Sequence, residues 1–182
     1  MYIAIGLILL WIVIVVPAIR SRLPNEVYAH CGLAILLTMP VLSVAGVVQR
    51  PEILWMRYAG IALSVPTLVI TVAALYALRS GIWCEAFWPG RPEDDEIVTT
   101  GIYGLVRHPT FLAAALWSAT IAMLFPSAVN FAFAPVAIAL FWGASVSEDA
   151  FNVRKFGARY RQYASRVPRW NIVSGILRCY SP

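Results

Sequence analysis

Charge is scarce in this chain. Asp, Glu, Lys and Arg make up 13% of its 182 residues, against about 25% in an ordinary soluble domain. Hydrophobic residues make up 60%, and the mean hydropathy is +0.75. A water-soluble core of one domain cannot hide so much apolar surface, so the expected solvent is lipid. Cysteine is sparse as well. Cys31, Cys84 and Cys179 are three in number and follow no recognisable spacing, which excludes a disulfide framework. With only two histidines, His30 and His108, no metal site is expected. No glycine-rich dinucleotide fingerprint, phosphate-cradling loop or serine nucleophile elbow occurs. The apolar runs carry no row of charges, which argues against a carrier, a channel or a proton relay. The closing Cys179-Tyr180-Ser181-Pro182 lacks the aliphatic pair of a prenylation box. No Lys or Arg precedes the first apolar run, so that run reads as a retained transmembrane helix rather than a cleaved leader.

What is present is a succession of apolar segments: Ile3–Ile19, Cys31–Val48, Tyr58–Leu78, Phe111–Phe125 and Val129–Val146. A span needs about 17–25 residues. The fourth segment reaches that length by extending back to Pro109, since proline suits the first turn of a helix. Only Pro126-Ser127-Ala128 separates it from the fifth, which predicts a tight helical hairpin. The expected fold class is all-α: a polytopic membrane protein of about five transmembrane helices, with the hairpin between helices 4 and 5. An amphipathic interfacial helix is expected to follow at the C-terminus. The whole is read as a single membrane domain over residues 1–182.

Five spans place the two ends on opposite sides. Of the 14 Lys and Arg residues, all but Arg50 and Arg57 then share one side, which the positive-inside rule makes cytoplasmic. The long third loop and the C-terminal tail would share that compartment. The net charge of +5 lies beside apolar segments, so anionic lipid headgroups are the expected partner, and nucleic acid is not. The tail SEDAFNVRKFGARYRQYASR, Ser147–Arg166, spaces Phe151, Phe156, Tyr160 and Tyr163 among its cations. It suits an amphipathic helix on the membrane surface, loosened at Gly157. The pair Glu148-Asp149 has two readings, a charge favouring the N-terminus of that helix or a ligand site. The acidic run Glu93-Asp94-Asp95-Glu96 is expected to be a solvated loop.

One stretch concentrates chemistry: GIYGLVRHPT, Gly101 to Thr110. His108 is an ionisable group at the lip of an apolar run, and its ring can hydrogen-bond from either nitrogen. Pro109 disfavours the α region for His108, so His108 should end the loop. Gly101 and Gly104 permit positive φ or close backbone approach. Together these describe a polar pocket mouth and leave the reaction unnamed.

Val98-Thr99-Thr100-Gly101-Ile102-Tyr103 followed by Arg107-His108-Pro109-Thr110-Phe111 resembles the first motif of the isoprenylcysteine carboxyl methyltransferase and phospholipid methyltransferase group of membrane enzymes. Glu148-Asp149, Phe156-Gly157, Tyr160, Tyr163 and Val167-Pro168-Arg169 resemble its second motif, in the same order and spacing. The resemblance covers roughly Ile97 to Trp170, about two-fifths of the chain. It implies that S-adenosylmethionine is bound at the cytoplasmic membrane face by a cofactor-binding half at about 97–170. The cofactor contacts it implies are Ile97, Val98, Tyr103, His108, Pro109, Thr110, Phe111 and Glu148. No catalytic side chain is assigned, because the sulfonium already activates the methyl group and positioning supplies the rate. The acceptor it implies is lipophilic, a small or prenylated molecule entering from the bilayer. An integral, multi-pass protein of a bacterial cytoplasmic membrane is expected.

The chain also departs from that pattern. Phe111 stands where the family usually has tyrosine, and Ala113 where it usually has glycine. The carboxyl methyltransferases carry an arginine shortly before the first acid, yet Ala139 to Ser147 contains no Arg or Lys. An amine, thiol or other lipid-accessible acceptor therefore stays open beside a prenylcysteine. A non-catalytic membrane scaffold that retains the fold is the alternative reading.

Overall fold

The structure is a computed structural model that describes residues 2–48, 51–78 and 97–180. Among the described residues all regular structure is helical: α1 (Tyr2–Ser21), α2 (Pro24–Val44), α3 (Leu54–Leu78), a 3₁₀ turn (Gly101–Gly104), α4 (Pro109–Leu124), α5 (Ala128–Phe156), α6 (Ala158–Arg166) and α7 (Ile172–Tyr180). Helices are what an apolar chain must form in lipid, because each backbone N–H and C=O then finds its partner within the segment. Four of them, α1, α2, α3 and α5, are long and apolar enough to cross a membrane. The fourth expected segment is also a helix and does start at Pro109, but α4 has 16 residues. At about 1.5 Å per residue it falls some 6 Å short of a hydrocarbon core of about 30 Å. Pro17, Pro40, Pro66 and Pro135 lie inside α1, α2, α3 and α5.

The chain divides into two compact units, neither of them contiguous in sequence. Within the described residues the first contains 2–48, 51–67 and 111–148, and the second contains 68–78, 97–110 and 149–180. In the first unit small residues bring helices close. A Cβ at Gly32 of α2 would lie 3.0 Å from the Phe141 ring of α5. Polar side chains bridge helices where no water can serve them. Trp11 Nε1 donates to Thr38 Oγ1 at 3.0 Å. Asn130, fully buried, donates through Nδ2 to Ser43 Oγ at 2.8 Å and to the Phe125 carbonyl at 2.7 Å. The expected hairpin is present, since only residues 125–127 separate α4 from α5. Ser127 Oγ accepts from the Asn130 amide at 3.1 Å, which caps the start of α5.

The tail departs from expectation. Glu148 and Asp149 do not favour the N-terminus of a tail helix, because α5 runs without a break from Ala128 to Phe156 and holds both in its interior. No breaker stands between Val146 and Phe156, and polarity alone does not end a helix. The break comes at Gly157, with φ of 59°, a conformation that favours glycine. The amphipathic helix is consequently the shorter α6, with Tyr160 buried and Arg159, Arg161 and Arg166 exposed. A further amphipathic helix, α7, was not expected. The acidic run Glu93-Asp94-Asp95-Glu96 and Cys84 lie outside the described residues.

Candidate functional site

The second unit is organised around one carboxylate. Asp149 Oδ2 accepts from Arg107 Nη2 at 2.9 Å, Arg169 Nη2 at 2.7 Å and Arg169 Nε at 2.9 Å. Its Oδ1 lies 2.7 Å from His108 Nε2 and accepts from the Tyr160 hydroxyl at 2.5 Å. Every member is largely withdrawn from solvent, with side-chain exposures of 14% for Asp149, 11% for Arg107, 3% for His108 and 26% for Arg169. Asp149 is the only acid in residues 97–110 and 149–180, among many cations. A carboxylate so placed neutralises charge and satisfies donors from three segments at once.

Backbone pairing joins the same segments. The Arg107 amide donates to the Pro168 carbonyl at 2.9 Å and the His108 amide to the Arg169 carbonyl at 3.4 Å. Arg107 Nη1 also donates to the carbonyls of Ala164, at 2.5 Å, and Val167, at 2.9 Å. Those carbonyls lie at the C-terminal end of α6, where a cation meets the negative end of the helix. Arg178 Nη1 reaches the Arg166 carbonyl at 2.6 Å from the other side. The charge of Arg107 is thus engaged within the protein, and Arg107 is not a lipid anchor.

The 3₁₀ turn is fixed in turn. The Tyr163 hydroxyl donates to the Tyr103 carbonyl at 2.7 Å. Burial, then the hydrogen bond and charge of Asp149, push the Tyr160 phenol well above its usual range. Burial does the same for Tyr163. Both remain protonated donors at any physiological pH. Gly101 takes the positive φ, 61°, and Gly104 makes the close approach, a Cβ there lying 3.3 Å from the Thr99 carbonyl.

Of the residues singled out from sequence, Ile97, Val98, Tyr103, His108, Pro109 and Thr110 fall in the second unit, while Phe111 and Glu148 fall in the first. Ile97, Val98, Tyr103, Thr110, Phe111 and Glu148 are half-buried, and His108 and Pro109 are buried. His108 ends the loop and Pro109 begins α4, as the His-Pro step predicts. His108 is no freely removable rim residue, however, because its ring is bonded to a buried carboxylate. Arg107, Asp149, Tyr160 and Arg169, which complete this network, belong to the two motifs but were not among the expected cofactor contacts. The signal was available: one acid opposite the cations of two spaced motifs. No group of three or more His, Cys, Asp and Glu that could hold a metal occurs among the described residues.

The profile of the family described as phospholipid methyltransferase matches residues 55–159. The chain is 33% identical over 79 residues to a protein-S-isoprenylcysteine O-methyltransferase of Schizosaccharomyces pombe, covering 43% of this chain and 34% of that protein. It is 35% identical over 79 residues to protein-S-isoprenylcysteine O-methyltransferase B of Arabidopsis thaliana, covering 43% and 40%. The chain thus spans between a third and two-fifths of the length of these curated relatives. No solved structure matches it.

Proposed function

Since the chain belongs to the phospholipid methyltransferase family, we propose that it is a membrane methyltransferase that uses S-adenosylmethionine and an acceptor drawn from the bilayer. The observation that supports this reading is the locking of the Arg107-His108-Pro109 loop to Val167-Pro168-Arg169 through Asp149. It fixes the loop that the resemblance places beside the donor, and a methyl transfer with no nucleophile of its own depends on fixed geometry.

The donor set fits such a cofactor. Arg107 Nε is buried with no hydrogen-bond partner among the described residues, and a carboxylate is the group such a donor takes. The resemblance assigns the remaining cofactor contacts to Ile97, Val98, Tyr103, His108, Pro109, Thr110, Phe111 and Glu148, with Glu148 accepting from the cofactor's ammonium. When bound, the cofactor supplies an already activated methyl group. The protein's part is to hold donor and acceptor in line and to exclude water, which is worth up to roughly 7–11 kcal/mol. We place the site on the cytoplasmic side, in keeping with the distribution of Lys and Arg. The cofactor-binding half is residues 97–170 of one domain.

Titration calorimetry with S-adenosylmethionine tests this. The unaltered protein should bind, and Glu148→Gln should weaken binding more than tenfold, the loss expected for a charge-assisted hydrogen bond of about 1.5–3 kcal/mol. Its helical content by circular dichroism should match that of the parent. Equal binding by both proteins would remove Glu148 from the site, and no binding by the parent would favour a non-catalytic scaffold.

A further inference from the structure

Helix α7 lies beyond the stretch that matches the family, and it presents two unlike faces. Val173, Ile176 and Leu177 are 67%, 41% and 62% exposed. At 100° per residue they share one arc, with Ile172 at its edge. Ser174 and Arg178 lie on the other side. Gly175, buried, is pressed against the Leu105 backbone: a Cβ there would overlap the Leu105 carbonyl oxygen and stand 2.9 Å from its carbon. The helix is therefore seated on the loop that leads into Arg107-His108, with its apolar arc turned outward. The exposed surface of this unit is basic. Arg154, Lys155, Arg159, Arg161, Arg166 and Arg178 are exposed, and the single acid of residues 149–180, Asp149, is enclosed by its own partners.

We propose that α7 docks on an anionic lipid bilayer, burying Val173, Ile176 and Leu177 among the acyl chains and setting the neighbouring arginines at the headgroups. Through Gly175 on Leu105, that docking steadies the Arg107-His108 loop. Charge selects this occupant. A second copy of the chain would bring cations against cations, whereas an anionic leaflet complements them and offers an apolar interior to the exposed arc. Four helices of spanning length put such a leaflet within the protein's own environment. The proposal does not rest on methyl transfer, and both readouts below are independent of activity.

The full chain, with its native cysteines replaced by serine, is spin-labelled at Val173→Cys, Ile176→Cys or Ser174→Cys. Each is placed in lipid nanodiscs of phosphatidylcholine alone or with phosphatidylglycerol. Labels at 173 and 176 should favour oxygen over a water-soluble nickel complex, more strongly with the anionic lipid, and the label at 174 should show the reverse. In the unlabelled protein, amide exchange at Arg107 and His108 should slow by about tenfold when phosphatidylglycerol is present. All three labels reporting water would overturn the proposal. So would labels at 173 and 176 shielded from both relaxers, which would mean a protein covers the face. Exchange that ignores lipid composition would overturn the coupling.

Discussion

Asp149→Ala should be the most damaging single substitution in the second unit, with a loss of about 3–5 kcal/mol. That is the usual cost of removing one partner from a buried ionic group and leaving the others uncompensated. Arg107, Arg169, His108 and the Tyr160 hydroxyl all lose an acceptor together. Asp149→Asn should be nearly as harmful, since an amide nitrogen turned toward the guanidinium groups sets donors against donors. Arg169→Ala should cost less, because Asp149 keeps Arg107, His108 and Tyr160. Thermal unfolding of the detergent-solubilised protein, with amide exchange at Arg107, measures these losses. A melting temperature for Asp149→Ala within error of the parent would contradict the network.

Gly175→Ala should destabilise where an alanine in a helix ordinarily helps. Replacing glycine by alanine gains about 0.5–1 kcal/mol in helix propensity. Here the added methyl would overlap the Leu105 carbonyl oxygen and lie 2.9 Å from its carbon. Both are backbone atoms and cannot rotate aside. Overpacking of this kind costs about 1–3 kcal/mol, so the steric effect outweighs the propensity gain. Either α7 lifts from the loop or the loop yields, and exchange across residues 172–178 should rise as the melting temperature falls. A variant as stable as the parent, with α7 as protected as before, would show that the helix is not seated there.

These two positions mark the limit of what the sequence discloses. The apolar segments announce themselves because lipid imposes helix on any long apolar run; each expected segment is a helix, though α2 begins seven residues before Cys31 and α5 ends ten residues after Val146. Pro109 and the 125–127 turn were legible for the same local reason, since proline and loop length act on their neighbours. Asp149 was not. In the sequence it is the second acid of a pair, and nothing local separates it from Glu148. Its role comes from Arg107, His108 and Arg169, brought from 42, 41 and 20 residues away. Counting charge over residues 97–110 and 149–180 would have exposed it as a counter-ion these cations share. The reading of the pair as a helix start failed because a spanning helix does not end where its residues turn polar. α5 continues to Gly157, where the backbone itself changes hand. Helix α7 is short, and its apolar residues follow one another too briefly to stand out against 60% hydrophobic residues.

The central claim, transfer of a methyl group to a lipophilic acceptor, is tested most directly with methyl-tritiated S-adenosylmethionine. The protein in proteoliposomes is offered a prenylated cysteine, phosphatidylethanolamine or a membrane lipid extract, and the organic phase is counted. The account predicts protein-dependent label in that phase with at least one acceptor, and its loss in Glu148→Gln. Label that never exceeds the protein-free control with any of the three would contradict it.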